Sequence, residues 1–131
     1  MTNDLPIITL PQQSGIYKIV QFDSEPLAYL RFAERPKDYY FHIYILGNFA
    51  KEIGVECIKI PGPDDCPIPA LPDNIPYRMV GAGRCEINLE EKTANFGGHS
   101  YDYRIGVNQA HLQRLRIQLP EWQIRSDLIV R

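Results

Sequence analysis

Few side chains in this chain combine a reactive type with a setting that suits chemistry. There are three histidines. His42 sits alone in the aromatic and aliphatic run DYYFHIYILGNFAKEIG (38–54), His99 follows two glycines in GGHSYDYRIG (97–106), and His111 lies among leucines in NQAHLQRL (108–115). An imidazole near its ordinary pKa of ~6.5 moves protons at neutral pH. His99 could serve as a base, but an exposed hairpin histidine is more often inert, and His111 reads as packed on a helix face. Two cations interrupt apolar stretches. Lys18 shares a strand face with Ile16, Val20 and Phe22, and Arg31 shares one with Leu27 and Tyr29. Such cations either snorkel to water or converge on an anion.

Two glycine-bearing stretches add to this set. In VGAGRCEI (80–87), Gly81 and Gly83 precede Arg84, which permits close backbone approach beside a guanidinium fork suited to phosphate or carboxylate. In GGHS, Gly98 and Ser100 offer a bare backbone and a hydroxyl donor. Neither stretch is a Walker loop, and Asp102 stands where a GxSxG elbow needs its last glycine. No carboxylate pair of glycosidase type stands out, and no His, Asp, Glu or Cys spacing fits a metal.

The elements that must position these residues follow from patterning. At 131 residues, 44% hydrophobic and 23% charged, the chain suits one soluble domain with one core. A net charge of -2 gives no field for nucleic acid or anionic membrane, and no apolar run reaches the ~20 residues of a membrane span. Three cysteines without a signal peptide read as free thiols in a reducing, cytoplasmic setting. Residues 1–14, broken by Pro6 and Pro11, read as a loosely held arm, and 15–131 as the domain.

GIYKIVQF (15–22) and PLAYLRFA (26–33) read as a strand hairpin. A helix follows, with Asp38 as cap, a stripe of Tyr39, Ile43, Leu46, Ala50 and Ile53, and Gly54 as stop. His42 falls off that stripe. VECIKI (55–60) reads as a strand. The segment 61–76 holds six of the eleven prolines and reads as a loop. YRMVGAGRCEINL (77–89) and TANFGGHSYDY (93–103) read as paired strands, Asn108 as the cap of a helix ended by Pro120, and 121–130 as a last strand. The expected class is α/β: one mixed sheet of about six strands with two packed helices, in ββαβ-ββαβ order.

In this order the pieces resemble the Janus/Ocnus family, the protein-histidine phosphatases. GIYKIVQF is similar to the family's first strand, LRF to its second, VGAGRCEI to its glycine-rich strand, and FGGHS to its glycine-x-serine segment. The likeness runs over roughly residues 15 to 125, with gaps, and rests on the order of several short motifs. It implies a cofactor-independent phosphatase acting on phosphohistidine in proteins. His42, at the start of the first helix, would be nucleophile or general base, with Tyr40 at that slot in a shifted matching. Lys18, Arg31, Arg84, Gly98 and Ser100 would converge around it to hold the phosphoryl group. The implied partner is a phosphorylated protein or other phosphate-bearing ligand, and the protein a monomer or homodimer. The alternative is a catalytically inactive anion-binding or protein-interaction domain of the same fold.

Overall fold

A computed structural model describes residues 5–36 and 41–129. Nine strands and two α-helices are present among them. Strand β1 (Gly15–Ser24) is rich in β-branched and aromatic residues and turns back antiparallel into β2 (Leu27–Phe32). Helix α1 (His42–Ile53) follows, then β3 (Ile58–Ile60) and β4 (Ile68–Ala70), β5 (Arg78–Asn88), β6 (Thr93–Gly97), β7 (His99–Ser100), β8 (Ile105–Gly106), helix α2 (Gln109–Gln118) and β9 (Gln123–Arg125).

The main sheet has five strands in the order β2-β1-β5-β6-β9, antiparallel except for the parallel β6/β9 pair. The class is therefore α/β with a mixed sheet, but the single sheet of six strands and the ββαβ-ββαβ order are corrected. Ile58–Ile60 leaves the main sheet and pairs with Ile68–Ala70 as a separate ribbon. The prolines turn the chain back on itself, and a two-stranded ribbon tolerates Pro69 because it has open edges. The expected strand 93–103 also splits. Gly98 adopts a left-handed φ of 78°, which ends β6 and starts the small β7/β8 hairpin.

Strand parity sorts the core into two layers. Tyr17, Ile19, Ala28, Leu30, Cys85, Phe96, Leu112 and Leu115 pack on the α2 side of the sheet. Val20, Phe22, Tyr29, Ala82, Ile45, Leu46 and Phe49 pack on the α1 side, with Phe22 and Phe49 stacked at 3.9 Å between ring centroids. The arm also docks: Ile8 bridges to Leu30, and the Leu30 N–H donates to the Ile7 carbonyl.

Helix α1 ends as its sequence requires. Gly54 is left-handed at φ 74°, and the Val55 N–H bonds back to the Ala50 carbonyl. Its start differs. The residue at the N-cap is Phe41, with no side-chain cap, while Asp38, Tyr39 and Tyr40 lie outside the described residues. The buried face runs through His42, Ile45, Leu46, Phe49 and Ala50. His42 therefore belongs to the core-facing stripe, contrary to the stripe read from Tyr39 and Ile43. Asn108 caps α2 as expected, its Oδ1 accepting the His111 N–H at 2.9 Å. No helix among the described residues is long and apolar enough to cross a membrane.

Candidate anion site at the start of helix α1

Because β1 and β5 are antiparallel neighbours, their register places Lys18 directly opposite Arg84. Arg84 in turn lies opposite Gly97. Both cations share the α1 side of the sheet with Val20 and Ala82. Like charges facing each other across a ladder are unfavourable. A bound anion would be attracted to both. Together with Phe41, His42, Gly98, His99, Tyr101 and Asp102 they line a pocket of about 450 Å³. Lys18 Nζ also sits 4.9 Å from the centroid of the Phe41 ring.

His42 closes the inner end of this pocket and is only 4% exposed. Its Nε2 lies 3.0 Å from the Gly83 carbonyl oxygen. A carbonyl only accepts, so Nε2 carries the proton and donates it. The lone pair of the neutral ring is then on Nδ1, which has no hydrogen-bond partner among the described residues. Burial lowers the proton affinity of this imidazole below the ordinary histidine value, and the charges of Lys18 and Arg84 lower it further; the Gly83 bond and Asp102 act in the opposite direction. The balance keeps the ring neutral at pH 7, the state a nucleophile or base requires. The α1 N-terminus adds favourable polarity, since its first turn carries no acidic residue and no side-chain cap.

The backbone that orients His42 depends on glycine. A Cβ on Gly83 would stand 2.5 Å from the Gly97 carbonyl oxygen and 2.7 Å from Val107 Cγ2. A Cβ on Gly81 would stand 2.1 Å from Gln21 Oε1. The two glycines flagged in the sequence thus admit the segment leading into α2, and Gly83 presents its carbonyl to His42.

Lys18, Arg84, Gly98 and His42 are brought together; Arg31 and Ser100 are not. Arg31 lies on β2 opposite Val20, is 4% exposed, and gives Nε and Nη2 to the two oxygens of Glu52 at 2.8 and 3.1 Å. Its remaining donors reach the carbonyls of Pro6, Ile7 and Leu30. Glu52 stands ten residues beyond His42 on α1, about 15 Å along the axis. Arg31 is a clamp that ties the arm and β2 to the far end of α1. Ser100 is fully buried, and its Oγ accepts the Tyr103 N–H at 3.3 Å, stapling the turn between β7 and β8.

His99 is exposed and lines the pocket. His111 is fully buried: Nε2 reaches the carbonyls of Phe22 and Tyr29 at 3.1 and 2.9 Å, and Nδ1 accepts from Gln21 Nε2 at 3.0 Å. With every ring nitrogen satisfied, His111 is structural. Sequence reasoning missed Asp102 and Tyr101 as pocket residues. Their one signal was position just after a glycine pair, which says nothing about where a turn points.

A larger cavity of about 600 Å³ lies between α1, the proline-rich ribbon and the start of β5, lined by Leu46, Leu71, Tyr77, Met79 and Tyr103 among others. The Tyr103 hydroxyl donates to the Pro69 carbonyl at 2.6 Å and fixes that wall. Among the described residues its lining has no histidine and no facing pair of cations, so size and chemistry disagree, and chemistry selects the smaller pocket. The proline-rich segment borders the larger cavity and is absent from the lining of the His42 pocket. No group of three or more metal-ligating side chains is present among the described residues. No protein-family model and no curated protein matches the chain.

Proposed function

We propose that this chain is a Janus/Ocnus-like phosphatase that hydrolyses phosphohistidine in proteins. The observation that carries the proposal is the facing Lys18–Arg84 pair beside a neutral, oriented His42 imidazole. Lys18 and Arg84 hold the non-bridging oxygens of the phosphoryl group, which gain charge as the P–N bond weakens. His42 uses its Nδ1 lone pair in one of two ways. As a base it takes a proton from the water that attacks phosphorus. As a nucleophile it bonds to phosphorus itself, and water releases phosphate in a second step. In both cases the P–N electron pair returns to the substrate imidazole. The site is smaller than the resemblance implied, since Arg31 and Ser100 take no part in it.

The experiment incubates the protein with a phosphohistidine peptide and follows phosphate release for wild type and His42→Ala. Loss of turnover in the variant supports the proposal; equal turnover, or none in either, overturns it. Phosphate affinity is measured alongside. Arg84→Ala is expected to weaken it more than Arg125→Ala, because Arg84 lines the pocket and Arg125 lies outside it. Phosphate binding in the pocket without any turnover would establish the inactive anion-binding domain instead.

A further inference from the structure

The anion pocket contains one charge that opposes its ligand. Among the described residues, Asp102 is the one acid in the lining, half-buried, in the same pocket as Lys18 and Arg84. Those two cations account for its presence. What it does to a bound anion is a separate matter. Asp102 forms no ion pair and no side-chain hydrogen bond among the described residues. Its place is set by the backbone instead. Ser100 Oγ accepts the Tyr103 N–H at 3.3 Å, the Ser100 carbonyl accepts the Arg104 N–H at 2.9 Å, and Arg104 takes a left-handed φ of 55°. The turn is tied down, and the carboxylate stays in the field of any anion that the cations bind. The other titratable groups in the lining are His42 on α1, His99 on β7 and Tyr101 in the turn. Asp102 repels a dianion twice as strongly as a monoanion of the same shape, because the energy scales with the product of the charges.

We propose that Asp102 is a specificity-determining residue: its carboxylate limits how much negative charge the pocket holds, and it keeps the grip on free dianionic phosphate weak. This rests on the reading of the pocket as a phosphoryl site. Under that reading it has a consequence for turnover. Phosphate left by hydrolysis sits between Lys18 and Arg84 until it dissociates, and it is partly dianionic at neutral pH. Two cations alone would retain it. Asp102 offsets part of their attraction and so speeds its departure.

The test uses two tetrahedral anions of one shape: methylphosphonate, at a pH where it is doubly ionised, and methanesulfonate, which carries a single charge. Titration calorimetry reads both affinities. Asp102→Asn should tighten methanesulfonate about threefold and methylphosphonate about tenfold, so the preference for the dianion rises about threefold. Asp102→Glu keeps the charge and should keep the wild-type ratio. Asp127→Asn removes the same charge outside the pocket and should keep it too. A merely structural role for Asp102 would change both affinities together. A wild-type ratio in Asp102→Asn overturns the proposal, as does an equal shift in Asp127→Asn or failure of both anions to bind any of these proteins. With a phosphohistidine peptide as substrate, phosphate should inhibit Asp102→Asn several-fold more strongly than wild type. The acid limb of its profile should also move to lower pH, because the Asp102 charge favours protonated His42. A shifted ratio with no turnover in any variant supports the role of Asp102 and refutes the phosphatase reading. Turnover with an unshifted ratio overturns the role of Asp102 and leaves the phosphatase reading standing.

Discussion

The separation of Lys18 from Arg31 gives the sharpest test of the site. Both cations interrupt apolar strands, and Lys18→Met and Arg31→Met each remove one positive charge of similar bulk. Lys18 faces Arg84 in the pocket, where a charge-assisted hydrogen bond to a bound anion contributes ~1.5–3 kcal/mol. Lys18 is half-exposed, so the lower end applies, and Lys18→Met should weaken phosphate binding by about ten- to thirtyfold. Arg31 is neutralised by Glu52, about 15 Å along α1 from His42, beyond the ~10 Å screening length at 0.1 M salt. Arg31→Met should change phosphate affinity less than about twofold. Its effect falls on stability. The substitution removes hydrogen bonds to Pro6, Ile7, Leu30 and Glu52, leaving buried acceptors unpaired at a cost of ~2–3 kcal/mol, with Glu52 exposed enough to rehydrate. At roughly 4 °C per kcal/mol for a chain of this size, Tm should fall by about 10 °C. Titration calorimetry with phosphate and differential scanning calorimetry read the two effects. Arg31→Met weakening phosphate as much as Lys18→Met would refute the placement of the site, as would Lys18→Met with wild-type affinity.

Other expectations follow from the same geometry. Burial and the two cations lower the His42 pKa, so the acid limb of the turnover profile should lie below pH 6.5; a limb above 6.5 would contradict a neutral buried base. His111 is also held neutral by burial, so the folded protein takes up its proton only below the unfolded value; denaturation midpoints should be steady above pH 6.5 and fall as the pH drops below it, less so in His111→Gln. Gly83→Ala, whose methyl would meet the Gly97 carbonyl and Val107, should cost ~1–3 kcal/mol in urea denaturation and reduce turnover by displacing the carbonyl that orients His42. Ser100→Ala should leave phosphate affinity unchanged and cost ~1 kcal/mol, since its hydroxyl serves the turn and does not reach the pocket.

Much of the framework was legible before folding. Period-two alternation marked the β1/β2 hairpin and β5, Gly54 and Asn108 marked a helix end and a helix start, and the glycines at 81 and 83 marked a place of close backbone approach. These are local properties: side-chain periodicity, cap chemistry and the space a missing Cβ leaves. Tertiary structure decided the rest. Register alone set Lys18 opposite Arg84, and only packing gave Arg31 its partner Glu52, because charge type does not say which opposite charge lies near. The small β7/β8 hairpin turned Ser100 inward and Asp102 to the pocket. The residue types at His42 allowed either core or chemistry. Its place at the end of the buried stripe, with Nε2 held by a carbonyl three-dimensionally adjacent but 41 residues away in sequence, makes it both: packed on one side and open to a cationic pocket on the other.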